Sequence, residues 1–101
     1  MPKSLELREL EALVEAALQR CTPDQRDAFS RYRVPFYEVP IRRGDALERV
    51  HVVAHLPLGL LYYEDVEEGF EVSTLAADGA IAEPGANQFD LRHILFQMGH
   101  R

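Results

Sequence analysis

The chain has 101 residues, of which 47% are apolar and 28% charged, so it is predicted to form one globular domain rather than a disordered segment. The net charge is −6, and residues 61–101 supply all of it, because they hold eight acidic residues against Arg92 and Arg101. This distribution repels phosphate backbones and disfavours nucleic-acid binding.

Two helices are predicted at the start of the chain. Ser4 is the expected cap of the first, which runs to about Arg20 and carries apolar residues at helical spacing on one side. These core-facing residues are Leu7, Leu10, Val14, Ala17, Leu18 and Cys21. Thr22 is the expected cap of the second helix, residues 23–32, and Gln25 completes a capping box with it.

Four strands are predicted next. The first covers residues 33–43, and Pro35 and Pro40 predict that it lies at a sheet edge or is broken by a bulge, since proline cannot donate to a ladder. The second, residues 49–56, alternates strictly, with four apolar residues on one face: Val50, Val52, Ala54 and Leu56. His51 and His55 are predicted on its other face. The third and fourth strands, residues 60–65 and 70–75, are joined by a short turn.

Asn87 is the expected cap of a last helix that ends before Gly99. One side of this helix carries a core-facing stripe of Leu91, Ile94, Leu95 and Met98. Phe89 and Phe96 lie about 150° away from that stripe. A helix that is apolar on two sides is often covered by a partner, so these two rings are the candidate self-association residues.

The order of elements, α-α-β-β-β-β-α, predicts an α+β fold. We expect a four-stranded antiparallel sheet with helices packed on one face, built as a single domain over residues 1–101. Cys21 is the only cysteine, which precludes an intrachain disulfide and suits a reducing compartment. The sequence shows no signal-peptide pattern and no apolar run long enough for a membrane span, so a soluble, cytoplasmic protein without membrane contact is expected.

The sequence carries no motif for phosphate binding, nucleophilic catalysis or metal binding, so no catalytic residue, metal ligand or cofactor is predicted. Cys21 is interpreted as a core residue, since it lies on the buried stripe near a helix C-terminus. His51 and His55 are roughly 13 Å apart along a strand, too far to share one zinc ion. A role for His93 stays open.

Residues 62–71 are the most distinctive segment, with five carboxylates and three aromatic rings around one turn. One interpretation is a solvated turn whose acids protect the sheet from aggregation. A second is a protein-binding surface, in which tyrosines anchor a basic partner and carboxylates steer it. A third makes two carboxylates a general acid and base. The predicted partner-binding residues are Tyr62, Tyr63, Glu64, Asp65, Glu67 and Glu68.

Five arginines cluster around the first two predicted strands: Arg31, Arg33, Arg42, Arg43 and Arg49. They are predicted either to pair across strands with Glu38, Glu48 or the acidic turn segment, or to form a basic face that meets the acidic face of another copy of the chain. The leading functional hypothesis is a non-enzymatic protein-binding module, similar in composition to inhibitor or immunity proteins, that binds a basic protein. The alternatives are a homo-oligomeric accessory protein and a small hydrolase or isomerase.

Overall fold

A computed structural model describes residues 6–57, 59–64, 69–81 and 90–100. The elements in these ranges are α1 (Leu7–Gln19), α2 (Pro23–Tyr32), β1 (Arg33–Arg43), β2 (Ala46–Leu56), β3 (Gly59–Glu64), β4 (Gly69–Ser73) and α3 (Leu91–Gln97). The strands form one antiparallel sheet in the order β1-β2-β3-β4. The predicted α+β fold and its order of elements are confirmed. None of the described helices is long and apolar enough to cross a membrane.

The first helix buries the predicted stripe from Leu10 onward. Leu7, predicted in the same stripe, is 48% exposed, because it occupies the first turn of the helix, before the packed part begins. Glu6 is the N-cap of α1 and makes no side-chain capping bond, while the predicted cap, Ser4, lies outside the described residues.

The second helix has the predicted capping box. The hydroxyl of Thr22 accepts a hydrogen bond from the backbone N–H of Gln25 at 3.2 Å, and the Gln25 side chain accepts one from the Thr22 N–H at 2.9 Å. Pro23 fills the first helical position, where no N–H is needed. This short-range pattern fixes the start of α2 and, with it, the turn that joins α1 to α2.

The main core lies between the helices and one face of the sheet. Its helical part comes from all three helices, and its sheet part includes Val53, Ala54, Leu61, Tyr63 and Phe70. The α3 residues Leu91, Ile94 and Leu95 are buried in this cluster, as predicted. Asp90, rather than the expected Asn87, is the N-cap of α3; Asn87 and Phe89 lie outside the described residues.

A bulge in β2 changes the face of the sheet on which the apolar side chains of that strand lie. The register of β2 against β3 shifts between Val52 and Ala54. Val50 and Val52 therefore face away from the helices, while Val53, Ala54 and Leu56 pack in the main core. The predicted strict alternation is wrong, because a bulge adds a residue to one strand and changes the face of every residue beyond it.

The face of the sheet opposite the helices is buried as well. Its apolar cluster, called here the second cluster, consists of Val39, Ile41, Val50, Val52, Tyr62 and Ile81. Ile81 comes from the chain after β4 and forms a bridge with Ile41 on the outer edge of β1. The Ile81 N–H donates to Pro40 O, and the Arg42 N–H donates to Ile81 O, both at 2.9 Å.

Ile81 also forms an antiparallel bridge with Leu75, which follows the end of β4. The chain after β4 therefore connects one outer strand of the sheet to the other. This connection pairs part of the outer edge of β1 near Pro40.

Candidate functional site

Three of the six predicted partner-binding residues lie in β3 and are buried. The exposed fraction is 0% for Tyr62, 9% for Tyr63 and 0% for Glu64. Tyr62 belongs to the second cluster, and Tyr63 packs edge-on against Phe70 with 5.3 Å between ring centroids. The prediction that these three residues form an exposed surface is corrected, because β3 is covered on both faces and alternate side chains enter different cores.

The other three predicted residues, Asp65, Glu67 and Glu68, lie outside the described residues. The described residues on either side of them are the last of β3 and the first of β4, Glu64 and Gly69, which pair directly with each other. The acidic connection, defined here as residues 65–68, therefore begins and ends at one paired position at the end of the sheet.

Arg43 lies against the carboxylate that precedes the acidic connection. One of its guanidinium nitrogens donates to Glu64 Oε1, and its Nε lies 2.5 Å from Glu48 Oε1. The Arg43 side chain is 17% exposed and the Glu64 side chain is fully buried. A buried carboxylate requires a counter-ion or hydrogen bonds, and Arg43 provides both. This geometry is that of a structural ion pair and is unlike a solvent-accessible acid–base pair.

Three of the other four arginines form ion pairs with carboxylates from other segments of the chain. Arg31 lies 3.6 Å from Asp27, Arg33 lies 3.7 Å from Glu15, and Arg42 pairs with Asp78. Arg33 also lies over the rings of Phe29 and Phe36, at 5.6 and 5.4 Å from their centroids. These three partners differ from the predicted ones, whereas the predicted pairing with Glu48 and with a carboxylate of the 62–71 segment is found at Arg43.

The two strand histidines lie on opposite faces of the sheet. His51 is opposite Tyr63 of the main core, whereas His55 is opposite Leu60, which packs on the second cluster. The bulge in β2 separates them, so the prediction of a shared face is wrong. His55 Nε2 lies 2.7 Å from the Tyr37 hydroxyl. Within the described ranges, no group of three His, Cys, Asp or Glu residues could hold a metal ion.

The only cysteine lies in the main core, as predicted. Cys21 is 6% exposed, and its Sγ lies 3.5 Å from Ala17 O. Burial raises the pKa of the Cys21 thiol, and the guanidinium groups of Arg26, Arg92 and Arg20 oppose that rise. The thiol is therefore held in its neutral, unreactive form despite three neighbouring cations.

Two side chains of α3 singled out in the sequence line a cavity between the helices. His93 and Phe96 contribute to a cavity of about 290 Å³ whose other walls come from the end of α1 and the start of α2. Phe96 is 54% exposed. Self-association through Phe89 and Phe96 stays a prediction, since Phe89 lies outside the described residues. No pattern in the sequence indicates this cavity, because it depends on how three helices meet.

The fold is thus that of an α+β protein with a four-stranded antiparallel sheet, and its described polar features include buried and exposed ion pairs and a cavity between the helices. No family model matches the chain, and searches of curated proteins and of solved structures find no match to it.

Proposed function

We propose that the protein is a non-enzymatic binding module that recognises a basic protein surface through its acidic connection. Asp65, Glu67 and Glu68 are the residues proposed to meet the partner. The buried residues Tyr62, Tyr63 and Glu64 have a different role in this proposal. They fix the end of β3 against the start of β4, the two strand ends that the acidic connection joins.

The charge balance around Arg43 is the observation that supports this proposal best. Arg43 pairs with both Glu64 and Glu48, so these three side chains together carry one net negative charge. Arg31, Arg33 and Arg42 pair with carboxylates elsewhere. Each of these four arginines therefore has a carboxylate partner outside residues 65–68, and the group around Arg43 adds to the negative charge of the acidic connection instead of reversing it.

The buried strand ends also favour binding, because they fix where the acidic connection starts and finishes. Tyr63 pairs with Phe70 and Glu64 with Gly69 across β3 and β4. A loop whose ends are held in place loses less conformational entropy on binding than one on mobile ends. Without exposed tyrosine anchors, we expect electrostatic steering to dominate, which gives fast association and strong dependence on salt.

The test is a charge reversal with a matched control. The variant Glu67→Lys/Glu68→Lys is compared with Glu9→Lys/Glu11→Lys, which makes the same change in net charge on exposed residues of α1. Proteins captured by the wild-type chain from its native host are identified, and their association rates are measured at several salt concentrations. We expect a basic partner whose association slows with added salt and with the first variant but not with the second.

Two results would count against the proposal. The first is capture of a partner whose association rate does not change with salt. The second is equal loss of binding in both variants, which would mean that net charge acts without a defined surface. Circular dichroism spectra of the two variants establish that each retains the fold.

A further inference from the structure

The cavity between the helices has walls that are positively charged on one side and apolar on another. It lies where α1 ends, α2 begins and α3 crosses them. Six residues line it: Arg20, Thr22, Gln25, Arg92, His93 and Phe96. The described lining contains no carboxylate, although the chain as a whole carries a net charge of −6.

Two arginines line this cavity, and a third binds the backbone at the end of α1 beside it. Arg20 and Arg92 line it, and Arg26 donates to Leu18 O at 3.4 Å and to Cys21 O at 3.0 Å. Burial raises the pKa of the nearby Cys21 thiol, and these three guanidinium groups oppose that rise, in keeping with their position around the end of α1. The cavity is therefore a local site of positive potential in an acidic protein.

Two carboxylates lie close enough to offset part of this charge. Asp90 is 3.6 Å from Arg92 Nε, and Asp24 is 3.8 Å from His100 Nδ1. Both acidic side chains are 53% exposed, so water screens them. Counted over the described residues alone, Arg20, Arg26 and Arg92 outnumber Asp24 and Asp90, so the sum of formal charges beside the cavity is positive.

The walls of the cavity are held in place before any ligand arrives. The side chain of Gln25, 5% exposed, accepts from the Thr22 N–H and donates to Arg92 O at 3.4 Å and His100 O at 3.1 Å. The Gln25 amide therefore connects the start of α2 to the first turn of α3 and to the residue His100 that follows α3. Preorganised walls reduce the entropy lost on binding.

We propose that this cavity binds a small organic anion, in which a carboxylate or phosphate group is attached to an apolar body. Arg20 and Arg92 hold the oxyanion, since guanidinium groups match its geometry, and the Thr22 hydroxyl donates a further hydrogen bond. The exposed ring of Phe96 packs against the apolar body. At about 290 Å³, the cavity suits a ligand about the size of one ring with its anionic group.

Titrations followed by amide NMR shifts test this proposal with phenyl phosphate, benzoate, inorganic phosphate and benzyl alcohol as probes. Phenyl phosphate or benzoate is expected to shift the resonances of Arg20, Arg92 and Phe96. Benzyl alcohol, which lacks the charge, is expected to leave them in place. Comparison of phenyl phosphate with benzoate identifies which oxyanion is preferred, and binding of either one supports the proposal.

Two variants measure the separate contributions of Arg92 and Phe96 to binding, and a third is a control. Arg92→Gln is expected to weaken binding of the aromatic anion about tenfold, since a charge-assisted hydrogen bond is lost. Phe96→Ser is expected to reduce binding of the aromatic anion to the level of inorganic phosphate and to leave inorganic phosphate binding unchanged. Arg8→Gln, an equal charge change on the exposed surface of α1, is the control and is expected to have no effect.

The proposal is overturned if neither aromatic anion shifts the cavity resonances, or if benzyl alcohol binds as well as they do. It is also overturned if Arg8→Gln weakens binding as much as Arg92→Gln, because the attraction would then be non-specific. Dispersed amide spectra of each variant without ligand show whether it is folded, so loss of structure is not mistaken for loss of the site. The variants leave residues 65–68 intact, so this test is independent of the one for the acidic connection.

Discussion

Arg43 and Glu64 form an ion pair at the edge of the second cluster, and no part of the Glu64 side chain is exposed. Arg43 ends β1, and Glu64 ends β3, so the pair links two strands that are separated by β2. Removal of one partner from such a pair leaves a charge buried without compensation, which costs far more than the pair contributes when intact.

We expect Arg43→Met to lower the free energy of unfolding by about 3–5 kcal/mol, the usual cost of breaking a buried pair. The double variant Arg43→Met/Glu64→Leu is expected to recover most of that loss, because no buried charge remains. Urea denaturation measures both. Arg31→Met removes the exposed pair with Asp27 and is the control, with an expected change of about 0.5 kcal/mol or less. Failure of the double variant to recover stability would contradict the interpretation.

Gly59 begins β3 in a conformation that other residues rarely adopt, with φ of +147°. A Cβ atom there would lie 2.7 Å from the backbone oxygen of Ser73 in β4. Gly59→Ala is therefore expected to cost more than Gly44→Ala, whose φ of +60° is also left-handed but whose Cβ would meet open space. We expect about 1 kcal/mol for Gly44→Ala and at least twice that for Gly59→Ala in thermal denaturation. Equal losses would show that the contact with Ser73 carries no cost.

Ile81 closes the second cluster, and we expect its truncation to be among the most destabilising in the chain. Ile81 is fully buried, whereas Leu75, its partner in the antiparallel bridge, is 44% exposed. Ile81→Ala is expected to cost about 2–5 kcal/mol, and Leu75→Ala clearly less. Hydrogen exchange of the Arg42 N–H, which donates to Ile81 O, should accelerate in the first variant only. Equal effects in both variants would refute the role given to Ile81.

The thiol of Cys21 is expected to react slowly with a disulfide reagent in the native protein and rapidly in urea, since burial protects it and raises its pKa. A thiol pKa that is higher in the folded than in the unfolded state stabilises the fold below the unfolded pKa. That contribution is lost as pH rises through the folded pKa. Stability of the wild type should therefore fall relative to Cys21→Ala as the pH rises above about 8.5, the ordinary thiol pKa. A constant difference between the two proteins across that range would contradict it.

Features that depend on neighbouring residues were predictable from the sequence. The capping box of Thr22 and Gln25 has a fixed spacing, so it located the start of α2 correctly. Pro40 likewise placed β1 at a sheet edge, because a residue without an N–H cannot donate to a ladder. In both cases the physical cause lies within a few residues of its effect.

Features that depend on distant pairing were missed. The bulge in β2 depends on how that strand pairs with β3, and no residue pattern within β2 indicates it. The burial of Tyr62 and Tyr63 did have a signal, because residues 60–63 form a continuous apolar run, which is typical of a strand covered on both faces. The carboxylates that follow this run instead favour an exposed turn, and the prediction followed them. The cavity between the helices had no sequence signal, since its walls are far apart along the chain.

The bridge between Ile41 and Ile81 also bears on the order in which the protein assembles. The four strands pair as successive hairpins, each between neighbours in the chain, whereas residues 41 and 81 are 40 positions apart. Closing a longer segment costs more entropy, so we expect the hairpins to form first and this bridge last. Until it forms, the outer edge of β1 near Pro40 can pair with a second chain, and the speed of closure therefore governs how readily the nascent protein aggregates.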